Sequence, residues 1–260
     1  MTLHVYQFNC LSDNFGVLIH DSQSGKTISI DAPETAKVQD ALLHNGWTLN
    51  EVWVTHHHAD HVQGIPALRA LYPDMRVMAP AAEAERIGVA IGSIDTVLRE
   101  GDNIYIGNVC AKIIETPGHT AGHIVYYFEE DNLLFAGDTL FAMGCGRVLE
   151  TSMPVMWNSL MKLAALPGET EIYCGHEYSL SNARFALSIE PDNTALQARF
   201  AEVENLRAAQ HPTLPTTLAL ELVTNPFLRA DEPTIQSTLN MSGADPAAVF
   251  AELRERKNRA

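Results

Sequence analysis

Residues 51–61 read Glu-Val-Trp-Val-Thr-His-His-His-Ala-Asp-His, a short apolar run that ends abruptly in four histidines and one aspartate. The run is a buried strand followed by a polar loop. In extended backbone alternate side chains share a face, so His56 and His58 point together and His57 points away. That pairing puts two imidazoles on one metal ion. A turn beginning at Ala59 brings Asp60 and His61 toward a second ion close by. Neutral imidazole and carboxylate are the donors that borderline divalent cations prefer. A chain built this way has to present a loop of ligands at the end of a strand, and the fold around it must supply the rest of the coordination.

The rest of the chain reads as such a fold. VYQF, FGVLIHD and GKTISIDA are strands, and Thr35–Asn45 is a helix with Val38, Leu42 and Leu43 on one face. Val62–Leu71 reads as the next helix, followed by strands in RVMAP, DNIYIG, VCAKIIETPG, HIVYYFEE and LLFAGDTLF. After residue 150 the pattern changes. Met153–Leu166 is helical, EIYCGHEY is a last short strand, and helical spacing dominates from Ser179 onward. HPTLPTT is a Pro-rich connection and Ala247–Arg256 a final helix. The expectation is a strand-rich α/β body over residues 1–177 and a small helical domain over 178–260.

Composition limits the partners. The 260 residues are 46% hydrophobic and 19% charged, enough for a large core and unlike a disordered chain. No apolar run approaches the roughly 18 residues of a membrane helix, and the N-terminus has no signal-peptide pattern. Seventeen basic against thirty-two acidic residues give a formal charge of -15, which repels nucleic acid. Basic residues gather only at the C-terminus, where Arg254, Arg256, Lys257 and Arg259 face the single acid Glu255. Cys10, Cys110, Cys145 and Cys174 are far apart and form no CxxC pair, so reduced thiols and a cytoplasmic location are expected.

Two ions need more donors than the histidine loop provides. His119 lies in Thr-Pro-Gly-His-Thr after a strand, Asp138 in Phe-Ala-Gly-Asp-Thr at a strand end, and His176 in Cys-Gly-His-Glu-Tyr after the last strand. Singly each is weak. Together they complete two sites: His56, His58 and His119 on one ion, Asp60, His61 and His176 on the other, with Asp138 bridging.

The THHHADH string resembles the HxHxDH signature of the metallo-β-lactamase superfamily. More narrowly, GCGR at residues 144–147, CGHEY at 174–178, NPFLR at 225–229 and the basic final helix resemble glyoxalase II, the hydroxyacylglutathione hydrolases. The resemblance covers essentially the whole chain. It implies an αββα sandwich followed by a helical domain, with S-D-lactoylglutathione as substrate. It also implies glutathione contacts at Arg147, Tyr178, Arg254 and Lys257, cations suited to the two carboxylates of glutathione. The sequence departs from the family string after GCGR, with Leu149 in place of an aromatic and Thr151 in place of a glycine, and it has Phe15 where the family often has Tyr.

The implied chemistry is thioester hydrolysis in methylglyoxal detoxification. Two divalent cations, zinc first with iron or manganese able to serve, share a water and lower its pKa. Asp60 has a second role, orienting the metal-bound hydroxide. A monomer is expected, with no nucleic-acid or membrane partner. The alternatives are a glutathione persulfide dioxygenase or a nuclease of the same superfamily, a Cys174 nucleophile beside His176, and a purely structural zinc protein.

Overall fold

The computed structural model describes residues 2–260. They form two compact units. One comprises the chain up to Glu115 together with Thr120–Gly137, the other Thr116–His119 together with Asp138–Ala260.

The first unit begins with β1 (Leu3–Cys10), β2 (Asn14–Asp21), β3 (Lys26–Ile30), α1 (Thr35–Asn45), β4 (Leu49–Trp53), α2 (Ala59–Val62) and α3 (Ile65–Leu71). It continues through β5 (Arg76–Pro80), α4 (Ala84–Ile91) and β6 (Thr96–Leu98). These six strands form one sheet in chain order. β1, β2 and β3 are antiparallel, joined by tight turns, whereas β3 to β6 run parallel. Parallel neighbours need crossover connections, and the helices supply them. α1 ends on Gly46 at φ 68°, whose N–H donates to the carbonyls of Leu42 and Leu43, a conformation glycine adopts without penalty. Val38, Leu42, Ile65, Leu68 and Ile87 cover the sheet through Val52, Val54 and Val77.

β7 (Asn103–Ile106), β8 (Val109–Glu115), β9 (Ile124–Phe128) and β10 (Leu133–Gly137) form an antiparallel meander. β9 and β10 are buried at every position, so they read as continuous apolar runs. The meander packs on the first sheet through aromatic rings. Trp53 stacks parallel to Phe128 at 6.0 Å and lies 5.4 Å from Tyr126, whose hydroxyl donates to the Val54 carbonyl at 2.6 Å. Helices, sheet and second sheet thus stack in the order the family resemblance implied, and truncating the fully buried Trp53 should cost about 3–5 kcal/mol.

In the second unit β11 (Leu140–Phe141) and β12 (Gly144–Cys145) make a hairpin that turns at Met143, φ 53°. α5 (Met153–Ala164), β13 (Glu171–Cys174), α6 (Ser179–Ile189), α7 (Thr194–Ala208), β14 (Thr216–Thr217), α8 (Leu218–Thr224), α9 (Pro233–Thr238) and α10 (Pro246–Arg259) follow. Its core is a chain of rings: Phe185 stacks on Phe227, Phe227 meets Phe250 edge-on, and Phe250 packs on Trp157. Among the described residues no helix is long and apolar enough to cross a membrane.

Three local expectations change. The helix expected over Val62–Leu71 is two helices, α2 ending at Val62 and α3 starting at Ile65 with Pro66 in its first turn, where the missing N–H is tolerated. Gly64 between them passes the Ala32 backbone so closely that a Cβ would lie 2.7 Å from the Ala32 carbonyl oxygen. The Pro-rich HPTLPTT segment contains β14, which pairs with β13. α4 and β6 do not figure among the expected elements, although Ile87 and Ile91 have the spacing of one buried helical face.

Candidate metal centre and cation cluster

The histidine loop is fixed from behind by a carboxylate. Asp31 follows β3 at φ 55° and accepts from the Thr55 N–H at 2.7 Å, the Thr55 hydroxyl at 2.8 Å and His61 Nδ1 at 2.7 Å. Because Thr55 gives its one hydroxyl proton to Asp31, its oxygen accepts from His56 Nδ1 at 3.0 Å. Both bonds settle tautomers: His56 and His61 carry their protons on Nδ1 and present Nε2 lone pairs. His56 Nε2 and His58 Nδ1 lie 3.0 Å apart, so both rings aim at one point as the alternation predicted. His57 turns the other way, with Nδ1 at 2.8 Å from Glu83 Oε2. Asp60 and His61 come from α2, a single helical turn that begins at Ala59, where the sequence reading put a turn. Asn14 Nδ2 donates to Asp60 Oδ2 at 3.0 Å, and that oxygen is 3.7 Å from His61 Nε2.

The second unit carries the other three expected donors. Asp138 follows β10 directly, and its Oδ2 lies 3.4 Å from His119 Nε2 and 3.3 Å from His176 Nε2. His119 Nδ1 donates to the Arg147 carbonyl at 2.9 Å, which again leaves Nε2 as the lone-pair nitrogen. Gly146 makes room, since a Cβ on it would sit 2.0 Å from the Asp138 carbonyl oxygen. The His176 ring lies flat on Tyr178, centroids 4.8 Å apart and planes within 5°.

These donors suit divalent cations. Each histidine whose tautomer is fixed is held through Nδ1 by a carboxylate, hydroxyl or carbonyl, the arrangement that orients metal-binding imidazoles. Ligands about 2.0–2.1 Å from one tetrahedral ion stand about 3.3 Å from each other. The Asp138 oxygen meets both of its histidines at that spacing. His/Asp clusters able to hold divalent metal ions are therefore present, among them Asp31, His56 and His61, all buried.

The residues implied for glutathione lie in the second unit and differ among themselves. Arg147 is exposed, Tyr178 and Lys257 are half-buried, and Arg254 is only 4% exposed. Arg254 donates from Nη1 to the Cys145 carbonyl at 2.8 Å and from Nε to Asn258 at 3.1 Å, with its guanidinium 5.1 Å from the Phe227 ring centre. Among the four residues implied for glutathione, Arg254 is thus a buried cation rather than a surface one. The helix face that carries Arg254 is the face that packs. Lys257 Nζ donates to the Ser181 carbonyl at 2.9 Å. Burial, together with the charges of Arg254 and Arg147, pulls its pKa down to about 8. Leu149, which replaces the family's aromatic residue, is 58% exposed.

Cys174 is fully buried and donates to the His176 carbonyl at 3.4 Å, and burial pushes its thiol pKa far above the usual range. A fully buried thiol is out of a substrate's reach, which counts against the Cys174 alternative. Sequence reasoning missed Asp31, Thr55 and Glu83. Each is one polar residue at a strand or turn end, and its partners are more than twenty residues away except for the neighbouring His56.

Comparison with known proteins places the chain. Residues 32–176 match the metallo-beta-lactamase superfamily model, and residues 177–260 match the model of the hydroxyacylglutathione hydrolase C-terminus. A hydroxyacylglutathione hydrolase of Rhodopseudomonas palustris (strain BisA53) is 51% identical over 100% of both chains. One of Nitrobacter hamburgensis is 49% identical, also over 100% of both. Among solved structures, a metallo-beta-lactamase from Staphylococcus aureus superposes with a TM-score of 0.65 at 22% identity, covering 98% of this chain and 71% of that one, a likeness of fold. Matched along its whole length by these two models and by relatives at about half identity, the chain belongs to the hydroxyacylglutathione hydrolases, the glyoxalase II family within the metallo-β-lactamase superfamily.

Proposed function

We propose that the protein hydrolyses S-D-lactoylglutathione and related S-2-hydroxyacylglutathiones to the hydroxy acid and glutathione, in methylglyoxal detoxification. The relatives at about half identity carry the hydrolase name, which supports this over a persulfide dioxygenase. The observation that carries the reading is Asp138 Oδ2 at 3.3–3.4 Å from two histidine nitrogens, in the same unit as the Arg147, Arg254 and Lys257 charges. In this reading His56, His58 and His119 hold one divalent ion, Asp60, His61 and His176 the other, and Asp138 both. Bound there, such ions supply Lewis acidity and a water ionised near neutral pH. Zinc is the first choice, and iron or manganese fit the same all-N/O donors.

The chain's own residues do the rest. Asp60, steadied by Asn14, would orient the ionised water for attack. Lys257 and Arg147 bind the substrate carboxylates, Arg254 sets their field from within the fold, and Tyr178 flanks the glutathione chain. The leaving thiolate has a pKa near that of free cysteine, so it departs without a general acid. The helical domain over 178–260 is the substrate-binding part of this scheme, and 1–177 the catalytic part. Four free cysteines fit the cytoplasm, and the charge of -15 fits a protein without nucleic-acid partners. A monomer completes the reading.

The test is direct. The purified protein, with metal content measured alongside, should release glutathione from S-D-lactoylglutathione. Metal-replete protein that leaves this thioester intact would overturn the proposal.

A further inference from the structure

We propose that Glu83 is a positioning residue of the metal centre, a single buried carboxylate that sets the aim of His56 and His58. The inference rests on the metal-centre reading above and extends it to a residue outside the ligand set.

Glu83 closes the short 3-10 turn Ala81–Glu83 between β5 and α4 and is 3% exposed. Both of its oxygens are used. Oε2 accepts from the His57 peptide N–H at 2.6 Å and from His57 Nδ1 at 2.8 Å. Oε1 accepts from the Thr120 hydroxyl and from the Gly122 N–H at 3.0 Å. Arg86 Nη1 lies 3.2 Å from His57 Nε2. A guanidinium can only donate, so His57 Nε2 accepts and the ring proton sits on Nδ1, facing Glu83.

The location of these bonds gives them their effect. His57 lies between two ligands, and its peptide N–H and side chain are fastened to the same oxygen. Fastening the middle residue of an extended triplet to one side forces its two neighbours to the other. The second oxygen holds the turn that immediately follows His119 in the chain. Gly122 is required for that approach, since a Cβ on it would stand 2.6 Å from Glu83 Cγ and 2.7 Å from Ala82 Cβ. No amide can replace the carboxylate. Four donors converge on two acceptor oxygens, and whichever way glutamine is turned its NH₂ meets a peptide N–H, of His57 or of Gly122.

The experiment is the Glu83→Gln variant of the full chain, purified with zinc. Zinc affinity is read by competition with a chromophoric chelator, and the ligand field by the visible spectrum after cobalt(II) substitution. Outer-shell partners of metal ligands are worth about 10–100-fold in affinity or activity. Zinc retention and kcat should each fall by about that factor and the cobalt spectrum should change, while KM for S-D-lactoylglutathione stays within about twofold. A variant that melts lower but keeps wild-type zinc affinity, cobalt spectrum and kcat would make Glu83 a fold residue only and overturn the proposal. If Glu83→Gln does not fold, Thr120→Val removes one donor from Oε1 and leaves the carboxylate in place. Its zinc affinity should then fall by about 3–10-fold, and wild-type affinity would equally overturn the proposal. Zinc affinity and the cobalt spectrum are read without substrate, so an error in the substrate assignment leaves this test intact.

Discussion

Arg254 and Lys257 lie three residues apart on α10, and their alanine variants should fail in different ways. Arg254→Ala strips the donor from the Cys145 carbonyl, a buried acceptor at the end of β12, two residues before Arg147. An orphaned buried acceptor costs about 1–3 kcal/mol. Loss of the guanidinium over Phe227 adds about 0.5–1 kcal/mol, and the emptied space of its packed stem adds more. A total of about 2–4 kcal/mol lowers the melting temperature on the order of 10 °C for a chain of this size. Lys257→Ala instead frees a carbonyl at Ser181, an exposed residue that water can satisfy, so stability should change by less than about 0.5 kcal/mol. Its effect should appear in KM for a glutathione thioester, raised about tenfold by loss of about 1.4 kcal/mol of charge-assisted binding. Such binding is the same in ground and transition states, so kcat should hold. Thermal melts and steady-state kinetics on the metal-loaded variants decide the matter. An Arg254→Ala protein that melts with the wild type and changes only KM would show that the guanidinium is a free substrate contact and that the packing argument is wrong.

The lowered pKa of Lys257 gives a pH signature. Below about 8 the ammonium is charged and can hold a carboxylate, and above it the charge is lost, so kcat/KM for the glutathione thioester should bend downward near pH 8 through KM. Lys257→Arg should remove the bend, and a wild-type KM flat from pH 7 to 9.5 would refute the assignment. Asp138→Ala should lose both metal ions by elemental analysis, because its Oδ2 meets both His119 and His176. His58→Ala should lose metal and nearly all activity. His57→Ala should retain metal, because its peptide N–H still reaches Glu83; equal losses in the two variants would mean the wrong histidines are assigned. Cys174→Ala should keep most of its thioester hydrolysis, since a buried neutral thiol does no chemistry, and inactivity with full metal content would restore the nucleophile hypothesis.

The seven residues proposed as metal ligands could be singled out in the sequence because metal ligation depends on residue type and short spacing. His-x-His after a strand aims two rings together whatever surrounds it, and the structure has His56 and His58 nitrogens 3.0 Å apart. The layering came from the family that the motifs resemble, and the burial of β9 and β10 at every position agrees with strands covered on both faces. The tertiary structure alone decided what holds those ligands. Asp31 reaches Thr55 and His61 across 24 and 30 residues, and Glu83 reaches His57 across 26. A lone carboxylate at a strand or turn end has no local pattern to distinguish it from a solvated one, and its meaning depends on which donors the packed chain brings to it. The same holds for Arg254. Its charge and helical position fit a substrate cation and a buried clamp equally well, and only the packing of α10, which puts Val249, Phe250 and Leu253 in the core, turns the guanidinium toward the Cys145 carbonyl. The need for glycine at position 64 belongs here too, because the Ala32 carbonyl that excludes a side chain is distant in sequence and meets it only after folding.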